Sequence, residues 1–268
     1  MVEQRFRKPQ VDGSTPFASS IFMKIIFLGT NGWYDTQTGN TPCVLIETQS
    51  EYIVLDAGFG FYKLKDIISS EKPVRLFISH LHYDHLIGLH TLPLFKLSQG
   101  IDIYANKAIM KGLRAFLKRP YTSPVILLPT KVRFHTVTGD SNMPITFETA
   151  GLRHSVSCHG YRLHVEGKIV TYCTDTGLCS GLKRLAKDAD LLITESAMAP
   201  GDRSPNIFHL TPEMAASVAA ETRVKKLALF HFDPGKYPSL DSRRAAQTAV
   251  QGIFKDTIAA NDSTVINI

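Results

Sequence analysis

His80-Leu81-His82-Tyr83-Asp84-His85 follows directly on the apolar run Val74-Arg75-Leu76-Phe77-Ile78-Ser79. The run reads as a strand, and three imidazoles and a carboxylate within six residues make a poor continuation of a core. They make a good cradle for a cation, since neutral imidazole and carboxylate suit zinc and also manganese or iron. His80 and His82 alternate along an extended backbone and so point the same way, while Asp84 and His85 step toward a second position. One short loop can therefore supply donors to two adjacent metal ions.

Working outward, residues 23–28 read as a strand that ends at the turn-forming cluster Gly29-Thr30-Asn31-Gly32. Cys43–Glu47 and residues 52–56 read as a hairpin around residues 48–51. Helical signals follow at 61–69, a further strand is expected at 101–104, and a helix at 106–118. That helix carries Ile109, Leu113, Phe116 and Leu117 on one side and Lys107, Lys111, Arg114 and Lys118 on another. The second half repeats the alternation, with strands at Lys168–Cys173, 191–194 and 226–230 and helices at 181–187 and Pro212–Glu221. Thr211 is placed to cap the latter, and Pro212 suits its first position. A helix at 242–254 and a strand at 264–268 close the chain. With no linker, low-complexity tract or short-period repeat, one α/β domain over residues 23–268 is the expectation.

The chain has 268 residues, 44% of them hydrophobic and 20% charged, which is ordinary for a globular protein able to bury a substantial core. No apolar stretch approaches the ~20 residues that span a bilayer, so no membrane partner is expected. Residues 1–22 hold Arg5, Arg7, Lys8, Pro9 and Pro16 but no apolar segment of the kind found in secretion signals, and read as a flexible extension. Cys43, Cys158, Cys173 and Cys179 lack the paired spacing of a disulfide framework or zinc ribbon, which makes a reducing cytoplasm the expected location. The net charge of +6 slightly favours anionic partners.

The remaining polar residues fall in a regular way. Asp175 lies just past the strand ending at Cys173, Glu195 ends Leu191-Leu192-Ile193-Thr194, and His231 ends Leu227-Ala228-Leu229-Phe230. With His80, four donors sit at the carboxyl ends of separate expected strands, the edge where α/β sheets place ligands.

These landmarks resemble those of the metallo-β-lactamase-fold hydrolases, most closely the branch of the tRNA 3′-processing endonucleases (RNase Z) and related phosphodiesterases. They run from Met23 to Asp233: Asp56-Ala57-Gly58, the opening motif, His154 ahead of Gly160-Tyr161-Arg162, Thr174-Asp175-Thr176-Gly177, Asp190 to Glu195, His209-Leu210-Thr211 and Phe230-His231-Phe232. The resemblance implies a four-layer αββα sandwich with two divalent metal ions, zinc being expected and manganese or iron compatible. It implies that His80, His82 and His154 hold one ion, that Asp84, His85 and His231 hold the other, and that Asp175 bridges both. Asp56 is implied to accept a hydrogen bond from a ligand imidazole, fixing its tautomer. Two cations beside one bridging carboxylate can hold a hydroxide at neutral pH and stabilise both ends of an in-line displacement. Asp84 is counted among the catalytic residues as well as the ligands. His209 matches the general acid of the nuclease branch, and otherwise it is an exposed neighbour of a helix cap.

Lactamases of this fold place a cysteine where Asp175 stands, and flavo-diiron oxidoreductases place a carboxylate where His82 stands, so the resemblance points to neither. Many RNase Z proteins carry a long tRNA-gripping arm between the third histidine and the bridging aspartate; residues 155–174 are too few for it. Phe232-Asp233-Pro234 also departs from the sequence common there in RNase Z. The expectation is a phosphodiesterase acting on a nucleotide or small phosphodiester, with thioester or lactone hydrolysis and tRNA 3′ processing as alternatives. The basic helix face leaves RNA binding open beside a plain solvated face, and relatives suggest a homodimer. Glu195 reads either as a loop-orienting acid or as a solvated strand end. His90, His135, His159 and His164 carry no expected role in holding metal.

Overall fold

The structure, a computed structural model, describes residues 23–69, 71–137, 145–203 and 208–268. The expected flexible extension at 1–22 lies outside the described residues. β1 (Lys24–Gly29), β2 (Cys43–Glu47) and β3 (Tyr52–Leu55) form an antiparallel meander, with the β2–β3 turn at the expected place. β4 (Val74–Phe77), β5 (Ile101–Asn106) and β6 (Val132–Val137) then add in parallel, with α1 (Lys107–Phe116) between the last two. β7 (Thr146–Gly151), β8 (His159–Val165) and β9 (Lys168–Cys173) form a second meander. After α2 (Ser180–Ala186), β10 (Leu191–Glu195), α3 (Pro212–Glu221), β11 (Leu227–Phe230), α4 (Leu240–Val250) and β12 (Thr257–Ala259) extend that sheet in parallel. β13 (Val265–Asn267) returns to pair antiparallel with β1. Among the described residues the sheet orders are β13-β1-β2-β3-β4-β5-β6 and β12-β11-β10-β9-β8-β7.

Period-two alternation sorts the apolar side chains into layers. In β3, Ile53 and Leu55 face the second sheet, while Tyr52 and Val54 face outward under the 3-10 segments and α1. In β10, Leu191 and Ile193 join the inter-sheet core, and Leu192 packs under α2, α3 and α4 with Leu227 and Leu229. Helix, sheet, sheet and helix therefore stack as the expected αββα sandwich. Phe77 ties the two sheets together: it stacks on Tyr104 at 4.9 Å and meets the edges of Phe147 and Tyr161, each at 5.1 Å. Phe77→Ala is expected to cost about 3–5 kcal/mol in urea denaturation, and a loss under about 1 kcal/mol would show that this ring is not part of the shared core.

The elements differ from expectation where packing overrides local signals. The stretch expected as a helix at 61–69 is a 3-10 segment, Phe59–Asp66, because it is pressed onto β1: a Cβ on Gly60 would lie 2.6 Å from the Leu28 carbonyl oxygen. β6, β7, β8 and β12 were not expected. β6, β7 and β12 are short or half-exposed strands at or near sheet edges, and their mixed polar side chains blur the alternation. β8 alternates, but polar His159, Arg162 and His164 mask it, and its two-residue turn to β9, Glu166-Gly167, has positive φ at both positions (46° and 76°). α4 starts earlier than 242, at Leu240, because Ser239 and Ser242 form a reciprocal capping box.

Candidate metal centre

The carboxyl ends of β4, β9, β10 and β11 deliver His80, Asp175, Glu195 and His231 to one rim, and the short irregular stretch after β7 adds His154. All seven side chains singled out as donors meet there, in two groups whose ligand atoms lie within 4.8 Å of one another: His80, His82, His154 and Asp175, and Asp84, His85 and His231. Asp175 joins the groups by turning one oxygen to each. Its Oδ1 is 3.1 Å from His85 Nε2 and 3.0 Å from His231 Nε2, whereas Oδ2 is 3.8 Å from His80 Nε2 and 3.7 Å from His154 Nε2. Asp84 Oδ2 lies 3.5 Å from His85 Nε2 and 3.4 Å from His231 Nε2.

Behind the donors a buried carboxylate sets the tautomers. Asp56, in the left-handed region at the end of β3, accepts the Ser79 amide on Oδ1 (2.7 Å). On Oδ2 it accepts the Ser79 hydroxyl (2.6 Å), His85 Nδ1–H (2.7 Å) and the Tyr172 hydroxyl (2.7 Å). Since the Ser79 proton is spent on Asp56, its oxygen accepts from His80 Nδ1–H at 2.9 Å. Both rings thereby turn Nε2 toward the site. Asp56 holds His85 as expected; Ser79 and Tyr172 were not anticipated, because neither has a local signal that marks it.

Burial opposes charge on His85 and His231, but neighbouring carboxylates, led by Asp84 for His85 and Asp175 for His231, outweigh it and push both upward. Burial likewise opposes ionisation of Asp84 and Asp175, and the histidines outweigh it, holding both below the usual carboxylate range. His80 and His154 shift down, through burial first and then neighbouring imidazoles, His154 to about 4. In the cation-free protein, protons on His85 and His231 thus balance the carboxylates, and an entering cation must displace them. Divalent-ion affinity is expected to weaken as pH falls through neutrality, with proton release seen by calorimetry in buffers of different ionisation heat. A pH-independent affinity would contradict this account.

His209 and Glu195 complete the rim. Glu195 is fully buried rather than solvated: Oε1 accepts the Thr176 amide (2.6 Å) and His209 Nδ1–H (2.9 Å), and Oε2 accepts the Ala197 and Leu210 amides, both at 3.2 Å. His209 lies over both donor groups, its ring 5.4 Å from that of His154 and stacked 6.3 Å from that of His231. It is more than the neighbour of a helix cap. Burial lowers its basicity, but the Glu195 charge and hydrogen bond outweigh that and raise it to about 9.

The groups open into a cavity of about 840 Å³ whose lining includes His209, Phe208, Trp33 and Tyr83. The loop after β1 supplies one wall of it through Gly32 and Trp33. Here Gly32 lies so close to His231 that a Cβ would stand 2.5 Å from its Cε1. Gly32→Ala is expected to displace His231 and lower the divalent-metal content found by elemental analysis; full retention of metal would argue that the imidazole can shift freely.

The other histidines are occupied elsewhere. His135 pairs with Asp102 at 2.7 Å and stacks on Tyr104, His164 pairs with Glu148 at 3.2 Å, His90 stacks on Phe59, and His159 lies 3.5 Å from the Thr149 hydroxyl. Cys173 is buried among apolar side chains of the outer layer. Residues 155–174 are taken up mainly by β8 and β9, so no long arm stands there.

The donor set fits divalent cations on its own terms. It is buried or half-buried throughout, it combines imidazole and carboxylate without thiolate, and His80 Nε2 faces it with no hydrogen-bond partner. Sandwich and site together define a metal-dependent hydrolase. Residues 51–232 match the family described as "Beta-lactamase superfamily domain", and the chain belongs to that superfamily. A protein named Ribonuclease Z from Microcystis aeruginosa is 29% identical over 305 aligned positions, covering 90% of this chain and 94% of its own. The metallo-beta-lactamase fold protein YhfI from Bacillus subtilis superposes with a TM-score of 0.76 at 21% identity, covering 92% of this chain and all (100%) of its own. Human tRNase Z, short form, gives 0.70 at 23% identity, covering 91% and 98%. These last two likenesses speak for the fold.

Proposed function

We propose that this protein is a phosphodiesterase acting on a nucleotide or other small phosphodiester. His80, His82 and His154 would hold one zinc ion and Asp84, His85 and His231 the other, with Asp175 touching both. The observation that carries this reading is the His209–Glu195 pair above the donor groups. An imidazolium placed there is an acid for a departing alkoxide, which phosphodiester cleavage needs and thioester or lactone cleavage needs far less. Two bound cations supply Lewis acidity, activating water near neutral pH and taking up charge on the phosphoryl oxygens.

The chain's own side chains do the rest. Asp56 and Ser79 keep the His85 and His80 rings aimed, and the Trp33 amide holds Asp84 Oδ2 at 2.8 Å. His209, bound through Nδ1 to Glu195, delivers a proton from Nε2 to the leaving oxygen. The relative named Ribonuclease Z supports phosphodiester chemistry, while β8 and β9 in place of an arm favour a small substrate over tRNA. Four free cysteines suit a cytoplasmic setting, and no helix among the described residues is long and apolar enough to cross a membrane.

The test is a panel of bis(p-nitrophenyl) phosphate, cyclic nucleotides, thioesters and lactones, run on zinc-loaded and manganese-loaded protein. Phosphodiester turnover above a His85→Ala control is the expected result; its absence would end this reading.

A further inference from the structure

Trp33 is 74% exposed and Tyr83 is 71% exposed, and both line the cavity of the metal centre. A lone exposed aromatic ring is unremarkable. Trp33 differs because its backbone has a φ of 69°, a region that non-glycine residues adopt at a cost, and because its surroundings hold it there. The Gly32 amide donates to the Phe232 carbonyl at 2.8 Å, the Trp33 amide donates to Asp84 Oδ2 at 2.8 Å, and Asn31 Nδ2 donates to the Tyr34 carbonyl at 3.1 Å. Arg243, fully buried in α4, donates to Thr30, Asn31 and Thr38 and so locks the start of the same loop. A folding requirement does not explain a strained, firmly held tryptophan whose ring points into solvent.

The position of the two rings says what they meet. Trp33 touches Asp84 through its own amide, and Tyr83 precedes Asp84 in the chain, so both stand one residue from a carboxylate of the donor group. Two charged side chains on the same rim are engaged within the protein: Asp233 accepts the Gly235 amide at 2.8 Å, and Lys236 pairs with Asp202 at 2.7 Å. The two rings are the large exposed planar surfaces beside the donor groups. We propose that Trp33, with Tyr83 as a second ring, is a stacking platform for a nucleobase, so that the substrate is a base-bearing phosphodiester rather than a sugar or alkyl one. This rests on the phosphodiesterase reading for the placement of the phosphate. Base–aromatic stacking tolerates any base, so the platform selects for planarity rather than base identity.

Trp33 is the one tryptophan of the chain, so its fluorescence reports on the platform directly. Zinc-loaded protein is titrated with adenosine 5′-monophosphate and with ribose 5-phosphate. Saturable quenching by the nucleotide alone is the expected result; no quenching, or equal quenching by both, overturns the proposal. In a second arm, thymidine 5′-(p-nitrophenyl phosphate) is compared with methyl p-nitrophenyl phosphate, which shares its leaving group. Trp33→Ala is expected to shrink the preference for the nucleoside ester about tenfold, mainly through KM, and Trp33→Phe to keep most of it. An unchanged preference overturns the platform. If neither ester is turned over by the unaltered protein, the phosphodiesterase reading fails, and the fluorescence titration still decides the platform on its own.

Discussion

Asp175→Asn is expected to cut phosphodiester turnover at least about a thousandfold and to lower bound zinc below two ions per chain. The carboxylate turns Oδ1 to His85 and His231 and Oδ2 to His80 and His154, so it is the side chain that both donor groups share. An amide of the same shape keeps one acceptor oxygen and aims N–H groups at the other set of imidazoles, whose lone pairs are meant for a cation. It also removes the negative charge between two sites of positive charge. Metal ions contribute several kcal/mol of transition-state charge stabilisation, and losing about 4 kcal/mol corresponds to about a thousandfold. Elemental analysis and steady-state kinetics on one preparation check both halves. Near-normal turnover with both ions retained would show that Asp175 is not the shared ligand.

His209→Ala is expected to reduce turnover of cyclic nucleotides by about 10²–10⁴-fold, the usual span for general acid catalysis. The loss should be much smaller with p-nitrophenyl esters, whose leaving group departs without a proton. Burial works against a charged His209, yet the Glu195 carboxylate and its 2.9 Å hydrogen bond raise it to about 9. The acid form is the one needed, so this contribution is present at neutral pH and is lost as pH rises through that value. Cations held by the donor groups would repel the imidazolium, which places the basic limb of the loaded enzyme at or below about 9. Glu195→Gln should move that limb down toward the ordinary histidine value of about 6.5. Profiles of kcat against pH for the two proteins are the measurement, and superimposable basic limbs would remove His209 from the role of acid. Equal losses on both kinds of leaving group would do the same.

How much of this could be read in advance depends on the range of the interaction. The meander of β1 to β3, the strand before His80, and α3 with its Thr211 cap and Pro212 follow from alternation and end signals within a dozen residues, and the structure has them. β7 and β8 are hidden in the sequence because Glu148, Arg162 and His164 mask their alternation, and because β7, an edge strand, has mostly polar or half-exposed side chains. His80, His82, Asp84 and His85 were legible because the opening motif is local, and Asp175 and His231 because each follows an expected strand; His154, beyond the unexpected β7, came only from the family resemblance. Glu195 was left between two readings; its hold on His209 and on the Thr176 and Leu210 amides belongs to folds of the chain 14 to 19 residues away in sequence.

By itself, then, the amino-acid order determined an α/β alternation, the opening motif and the rim at the strand ends, since these depend on periodicities and spacings that act over a few residues; the sandwich and the full donor set followed from the family resemblance those motifs carry. Tertiary structure alone decided the rest: which oxygen of Asp175 faces which group, how Asp56 and Ser79 choose the tautomers, and why Trp33 stands over the cavity. Tyr172 reaches Asp56 across 116 residues, and Arg243 reaches Asn31 across 212. Contacts of that separation leave no trace in local pattern, because they exist only once the sheets and the helices over them have packed together.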